Sequence, residues 1–303
     1  MRIAFRWLLG ALVVAVAAWL LARQLHALSW SALARAWQKT PPASIAGALG
    51  CVALSFSCLG LYEVFAANRA APGRVPTACA LAIGLVAHAL SNTLGFHVIT
   101  GSAFRLRAYR GFGLGAGEVA SVLARVAACV VLGVLLVSVL AFLASPAWRA
   151  PAMLALSLAA MFFVVVSRRL PTAGHSARRL LAQMRGMGSM LPVAAVEMLA
   201  MMAALWLLLP SALQPAPADF ALLFVAGMLA GIAAHAPGGI GIFEATLLTA
   251  APAGHASDFL AALLLYRALY NLLPFALATL AAPFVLASPT PDARRDCSQL
   301  EGG

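Results

Sequence analysis

Long apolar runs dominate this chain and restrict its fold more than any other feature. Eight stretches approach or exceed the ~20 residues that an α-helix needs to cross a bilayer: Leu8 to Leu25, Ser44 to Ala66, Pro76 to Thr100, Val119 to Ala144, Pro151 to Ser167, Leu191 to Leu209, Ala218 to His235 and Phe259 to Leu286. Only 10% of the residues are charged, against about a quarter in soluble domains. The sequence therefore predicts one all-α integral-membrane domain over residues 1–288, followed by a short polar tail at 289–303.

A helix-breaking sequence interrupts the apolar pattern late in the chain. His235 is followed closely by Pro237, Gly238 and Gly239, and the next apolar run, Ile240 to Ala250, is too short to cross a bilayer. Lipid offers no hydrogen bonds to freed backbone groups, so such a break survives only where protein or a water-filled cavity surrounds it. A half-helix beginning near Gly239 would also point N–H groups at a bound phosphate. We therefore predict a polytopic transmembrane helical bundle of about eight spans, with one or two broken or re-entrant helices and a binding site at the break.

The distribution of arginines predicts the orientation. The net charge is +11 and Lys39 is the only lysine. The loop at 101–118 contains three arginines and the loop at 167–190 contains five, so the positive-inside rule assigns both loops to the cytoplasm. If Pro76 to Thr100 crosses the membrane fully, the N-terminus lies outside, and if that segment is re-entrant, the N-terminus lies inside.

Two passages resemble each other and suggest an internal repeat. Residues 84–88 read GLVAH and residues 231–235 read GIAAH, and each is followed within a few residues by small or helix-breaking residues. Interrupted apolar segments in corresponding positions of two halves indicate a transporter with its binding site at the repeat interface.

Ionisable side chains inside apolar runs cost about 2.5–3.5 kcal/mol each on insertion scales. The candidates for a partner or a function are Glu63, His88, His97, Arg125, Glu197, His235, Glu244 and Arg267. The structural alternatives are that Glu63 and Glu197 lie near an interface or pair internally, and that Arg125 snorkels to the membrane surface. Glu244 follows the break, and Arg267 shares a helix face with Asn271. We expect Arg267 to pair with Glu244 or to hold a phosphate bidentately. A purely structural ion pair is the alternative.

The sequence contains no enzymatic or cofactor-binding pattern. GxSxG, HExxH and Walker motifs are absent, and the five cysteines form no CxxC pair and no metal-ligand set. The basic charge accompanies apolar spans rather than a solvated domain, which argues against nucleic-acid binding. We therefore predict a protein that is not an enzyme and needs neither cofactor nor metal.

Three passages resemble a known family: Ser91 to Gly111, Pro237 to Ala245 and Tyr266 to Tyr270. They resemble the flippase-type membrane domain of bifunctional lysylphosphatidylglycerol synthetases and its stand-alone YbhN-like relatives, in matching order from about Leu8 to Leu286. The resemblance implies a multi-pass protein of the bacterial inner membrane that binds or moves a phospholipid. The family's motif positions fall on Arg105, Arg107, Tyr109, Pro237, Gly238, Gly239, Glu244, Arg267 and Tyr270.

The bifunctional members carry a cytosolic aminoacyl-transferase domain, whereas this chain ends shortly after its last span. We therefore expect a phospholipid translocase that is not driven by ATP and has no synthetase activity. Glu244, Arg267 and Asn271 would contact an anionic or aminoacylated headgroup, while Arg105, Arg107 and Arg110 gather headgroups at the cytoplasmic face. A secondary transporter of a small anion and a scaffold subunit of an envelope enzyme are the alternatives. Lipid identity, direction, energy source and oligomeric state stay open.

Overall fold

A computed structural model of the protein describes residues 30–94, 97–146, 186–233 and 241–287. These residues form helices joined by turns, with no strand among them, so the predicted all-α fold is confirmed for this part of the chain. The predicted spans Leu8 to Leu25 and Pro151 to Ser167 lie outside the described residues, as do Pro237, Gly238 and Gly239.

The helices follow the predicted apolar runs closely. In chain order they are α1 (Trp30–Lys39), α2 (Pro42–Ala70), α3 (Thr77–Leu94), α4 (His97–Tyr109), α5 (Ala116–Ala144), α6 (Leu191–Leu208), α7 (Pro217–Ala233), α8 (Ile242–Leu248), α9 (Ala256–Arg267) and α10 (Leu273–Ala287). A π-helical segment, Ala268–Leu272, joins α9 to α10. Within the described ranges, five helical stretches are long and apolar enough to cross a membrane: Pro42–Ala70, Thr77–Leu94, Ala116–Ala144, Gly188–Leu208 and Ala256–Ala287. The chain is a multi-pass membrane protein.

Proline and glycine mark several helix boundaries. Pro42 and Pro192 occupy the first turns of α2 and α6, where the missing N–H has no intrahelical partner to lose. Gly73 and Gly113 turn the chain after α2 and α4 with φ of +68° and +72°, a left-handed conformation that glycine adopts without strain.

Loop contacts define one end of the bundle, which we call the arginine end. Arg74, which follows α2, donates hydrogen bonds to the Glu118 carboxylate at the start of α5 and to the Gly113 carbonyl after α4. Arg69 packs directly against Gly186, ahead of α6. The end of α2, the end of α4 and the starts of α5 and α6 therefore lie together. By the positive-inside rule this end is the one predicted to be cytoplasmic.

Two further contacts define the opposite end. Ser145 follows α5 and donates a 2.7 Å hydrogen bond to Asp219 in the first turn of α7. Lys39, just before α2, lies 3.3 Å from Asp258 in the first turn of α9. Helix α2 ends at the arginine end and α5 begins there, so the start of α2 and the end of α5 lie at the opposite end. The two contacts place the starts of α7 and α9 at that opposite end as well.

Helices α3 and α4 form a re-entrant pair that enters from the arginine end. His88 of α3 contacts Arg105 of α4 at 3.2 Å, and nearer the turn Ser91 packs against Gly101, so the two helices are antiparallel. These contacts favour the re-entrant alternative for Pro76 to Thr100 over the full crossing, because α4 runs back toward the end of the bundle at which α3 begins. The apolar length of α3 suits both a full crossing and a re-entrant helix. Only the contacts of α4 show that the chain turns back.

Helices α7 and α8 belong to a second re-entrant segment, which enters from the opposite end. The chain starts inward at Asp219 and is back at that end by Asp258. On the way, Gly227 of α7 packs against Phe243 and Thr246 of α8. The predicted half-helix Ile240 to Ala250 corresponds to α8, Ile242–Leu248, and α8 lies beside α7.

Small residues allow close helix packing in the interior. A Cβ on Gly84 would lie 2.5 Å from Glu63 Cβ, and one on Gly133 would lie 2.7 Å from the Ala194 carbonyl oxygen. Such glycine contacts are common where membrane helices approach closely. Large apolar side chains cover the outer faces of the helices, among them Leu135, Leu140, Leu229, Leu277, Leu280 and Phe284, and these faces suit contact with lipid.

Candidate functional site

Helix α3 of the first re-entrant pair and helix α8 of the second re-entrant segment approach the π-helical segment from opposite ends of the bundle. Near the inner end of α3, Thr93 Oγ1 donates to the Asn271 carbonyl oxygen at 3.1 Å, and Asn271 Nδ2 donates to the Asn92 carbonyl oxygen at 3.4 Å. On the side of α8, Glu244 contacts Arg267, the last residue of α9. π-Helical turns occur often at functional sites. We call Glu244, Arg267, Tyr270 and Asn271 the central site.

Glu244 and Arg267 form the charged part of this site. Arg267 Nε donates to Glu244 Oε1, and the Gly241 N–H donates to Glu244 Oε2 at 2.8 Å. The Arg267 guanidinium also lies 5.8 Å from the centre of the Phe243 ring. The side chains of Glu244 and Arg267 are 11% and 12% exposed. The predicted pairing of these two residues is confirmed, and the pair is not fully enclosed by the described protein.

The expected phosphate site at the start of the half-helix needs a correction. Helix α8 begins at Ile242 rather than near Gly239, and the Gly241 N–H is occupied by the Glu244 carboxylate. A carboxylate three residues into a helix often satisfies the N–H groups at its start. The anion that the helix start binds in this structure is therefore the protein's own side chain.

A second ion pair joins α4 to α2 and is completely enclosed. Arg105 Nη2 and Nε donate to the Glu63 carboxylate at 2.7 and 2.9 Å, and the Tyr109 hydroxyl donates to Glu63 Oε1 at 2.9 Å. Arg105 Nη2 also contacts His88 Nε2 at 3.2 Å. Glu63 and Arg105 are 0% and 3% exposed. This ion pair attaches α4, the second helix of the re-entrant pair, to α2.

This geometry corrects the expectation that Arg105 stands at the surface with Arg107 and Arg110. Arg110 is exposed and Arg107 is half-buried, but Arg105 and Tyr109 are buried. The helical period explains the difference, because residues 105 and 109 are one turn apart and share the inward face of α4. The sequence marked Glu63 as a candidate for internal pairing, but nothing in it indicated that its partner lies 42 residues away.

A third polar cluster connects the central site to α2 and α6. Ser55 Oγ lies 2.9 Å from the Tyr270 hydroxyl and donates to Glu197 Oε1 at 3.2 Å. Tyr270 stacks on Tyr266 with 5.3 Å between ring centres. All four side chains are buried. Sequence reasoning singled out Glu197 and Tyr270 but missed Ser55, because a serine in an apolar run usually bonds to its own helix.

The predicted site residues therefore fall into four groups. Glu244, Arg267, Tyr270 and Asn271 come together at the central site. Arg105 and Tyr109 belong to the enclosed pair with Glu63, and Arg107 lies at the arginine end. Pro237, Gly238 and Gly239 lie outside the described residues. Among the residues that are described, no group of three or more histidines, cysteines or acids is placed to hold a metal.

Comparison with known proteins places this architecture in a family. The family model described as the lysylphosphatidylglycerol synthase TM region matches residues 7–278. The chain is also 25% identical over 279 residues to the "Uncharacterized protein slr0712" of Synechocystis sp., an alignment that covers 85% of this chain and 84% of that protein. The matched region contains the helices of both re-entrant segments and the central site, and the family indicates a lipid-related function at a membrane. The chain belongs to the lysylphosphatidylglycerol synthase transmembrane-region family.

Proposed function

We propose that the protein is a phospholipid translocase of the bacterial inner membrane that works without ATP hydrolysis and without covalent chemistry on the lipid. The family's lipid-related function supports the class of substrate. The single observation that carries the proposal is the Glu244–Arg267 pair, which is partly exposed beside a π-helical segment where two re-entrant segments approach each other.

A headgroup phosphate can replace the Glu244 carboxylate on Arg267. A guanidinium binds carboxylate and phosphodiester oxygens through the same fork of N–H donors. During the exchange Arg267 keeps an anionic partner at every stage, so Arg267 itself avoids the cost of about 2.5–3.5 kcal/mol for an uncompensated charge within the bilayer. The displaced Glu244 carboxylate keeps the hydrogen bond from the Gly241 N–H. The acyl chains would stay in lipid while only the headgroup passes through the protein.

The neighbours of Arg267 suit the polar part of a headgroup. Asn271 is half-buried and its amide oxygen can accept a hydrogen bond, while its Nδ2 donates to the Asn92 carbonyl oxygen. Tyr270 is buried beside it, with its hydroxyl bonded to Ser55. At the arginine end, Arg107 and Arg110 would concentrate anionic lipids, each by about 1 kcal/mol near the surface. The partner we propose is therefore a phospholipid with an anionic or aminoacylated headgroup.

The test is a lipid-translocation assay in proteoliposomes with a fluorescent phospholipid. We expect Glu244→Ala and Arg267→Ala to slow translocation by about tenfold or more, the equivalent of losing about 1.4 kcal/mol of headgroup interaction. Lys39→Ala is the matched control, because it breaks the exposed pair with Asp258 at the opposite end and should leave the rate unchanged.

Unchanged translocation in both central-site variants would reject the assigned site. Transport of a soluble anion by a protein that moves no lipid would instead favour the secondary-transporter alternative.

A further inference from the structure

Glu197 differs from the other two buried or partly buried acids in having no cationic partner among the described residues. Glu63 is bound to Arg105 and Glu244 to Arg267, whereas Glu197 accepts a hydrogen bond from the Ser55 hydroxyl at 3.2 Å. Its exposure is 4%. An ionised carboxylate in so dry a position is strongly disfavoured unless a charge compensates it. The neutral, protonated acid is the form that this environment accommodates.

Glu197 is connected to the central site by hydrogen bonds. The chain runs from the Tyr270 hydroxyl to Ser55 Oγ at 2.9 Å and from Ser55 Oγ to Glu197 Oε1 at 3.2 Å. Tyr270 and Asn271 are neighbours in the π-helical segment, and Arg267 lies just before it. A change in the charge of Glu197 would therefore reorient the hydroxyl groups of Ser55 and Tyr270, and Tyr270 lies next to the proposed headgroup contact.

The groups around Glu197 are neutral at physiological pH. Helix α2 contributes Ser55, Cys58 and Tyr62, and α9 with the π-helical segment contributes Tyr266 and Tyr270. Helix α5 contributes Cys129, which faces Tyr62. Arg105 and Arg267 are each bound to another acid, and Arg125 of α5 donates to Ser121 of its own helix.

Tyr62 adds an independent observation at the same place. Its side chain is fully buried, and its hydroxyl is the buried side-chain polar atom without a hydrogen-bond partner in the described part of the chain. Buried polar groups normally have a partner. The Tyr62 hydroxyl therefore has unused hydrogen-bonding capacity near Glu197.

We propose that Glu197 binds a proton within the bilayer, and that its uptake and release of this proton are coupled to lipid movement through Ser55 and Tyr270. The coupling rests on the proposed translocase function, but proton binding does not. With this coupling, the proton gradient supplies the energy for lipid movement.

Proton binding is tested by infrared spectroscopy at neutral pH of the protein purified in a detergent that contains no ester or carboxyl group. A protonated carboxyl group gives a C=O band that an ionised carboxylate lacks. We expect such a band in the wild type, its loss in Glu197→Gln, and its retention in Glu244→Gln, where the removed acid is the one paired with Arg267. Ser55→Ala should keep the band and shift it to higher frequency, because the carbonyl loses a hydrogen bond. A band that persists in Glu197→Gln, or no band in the wild type, overturns the proposal.

Coupling is tested by lipid translocation in liposomes with and without a pH gradient. The wild-type rate should respond to the gradient, and Glu197→Gln should lose that response. A gradient response that survives in Glu197→Gln, or a wild type that moves lipid with no such response, overturns the coupling. A wild type that moves no lipid under any condition refutes the proposed function and the coupling with it, while the infrared result still decides whether Glu197 binds a proton.

Discussion

The two arginine–glutamate pairs are chemically alike but occupy different surroundings. Glu63 and Arg105 are enclosed, and the carboxylate receives bonds from two guanidinium nitrogens and the Tyr109 hydroxyl. Glu244 and Arg267 retain partial exposure and lie between two re-entrant segments that enter from opposite ends. The first pair therefore fixes the first re-entrant pair to the bundle, and the second is the one that we propose exchanges with a ligand.

The comparison shows that a charge inside an apolar run does not by itself indicate a binding site. In both pairs the opposite charges offset the free-energy cost of burying each other. Only a pair whose members can change partners can take part in transport. Removing one member of an enclosed pair leaves the other uncompensated, which typically costs more than the intact pair contributes.

The largest effect on stability is expected from Arg105→Ala. This change leaves Glu63 buried without its cation, and we expect a loss of about 3–5 kcal/mol in the free energy of unfolding. Thermal or denaturant unfolding in detergent would measure it. A loss below about 1 kcal/mol, the range of exposed pairs, would remove the distinction between the two pairs.

Tyr109→Phe sharpens the same comparison without changing any charge. It deletes the hydroxyl that donates to Glu63 at 2.9 Å and preserves the ring, so we expect a loss of about 1.5–3 kcal/mol, typical of hydrogen bonds to charged groups. The same unfolding measurement applies. Stability equal to that of the wild type would mean that Arg105 alone satisfies Glu63.

Gly84→Ala tests the close approach of α3 to α2 at the enclosed pair. The added Cβ would lie 2.5 Å from Glu63 Cβ, and overpacking of this kind costs about 1–3 kcal/mol. Gly117→Ala is the matched control, because a Cβ on Gly117 meets nothing within 4 Å. If the two variants unfold alike, α3 has more freedom to shift than the packing indicates.

The smallest effect is expected from Lys39→Ala. Lys39 and Asp258 form an exposed pair, with side chains 73% and 40% accessible, and such pairs contribute about 0.2–1 kcal/mol. Its unfolding transition should nearly superimpose on that of the wild type. A large shift would show that the contact between α1 and α9 stabilises the bundle more than its exposure suggests.

The sequence predicted the helices well and their paths less well. Apolar length defines where a helix can lie, so Leu191 to Leu209 was found as Leu191–Leu208. Whether a helix continues across or turns back depends on contacts with residues far along the chain. For α3 the decisive contact is that of His88 with Arg105, and no local pattern encodes it.

The candidate site was predicted to a similar extent. The pairing of Glu244 with Arg267 followed from the cost of lone charges in an apolar environment. The burial of Arg105, in contrast, requires knowing that Glu63 lies opposite it. The role of Ser55 depends on three helices meeting at one point, so the periodicity of the sequence could not predict it either.

The most direct test is the rate of phospholipid translocation per folded molecule in Arg105→Lys and Arg267→Lys. Both changes keep the charge and remove the guanidinium fork. We predict that Arg267→Lys slows translocation by about tenfold or more, equivalent to about 1.4 kcal/mol, while Arg105→Lys lowers stability and leaves the rate of each folded molecule unchanged. Equal rates in Arg267→Lys and the wild type, or equal slowing in both variants, would contradict the separate roles of the two pairs.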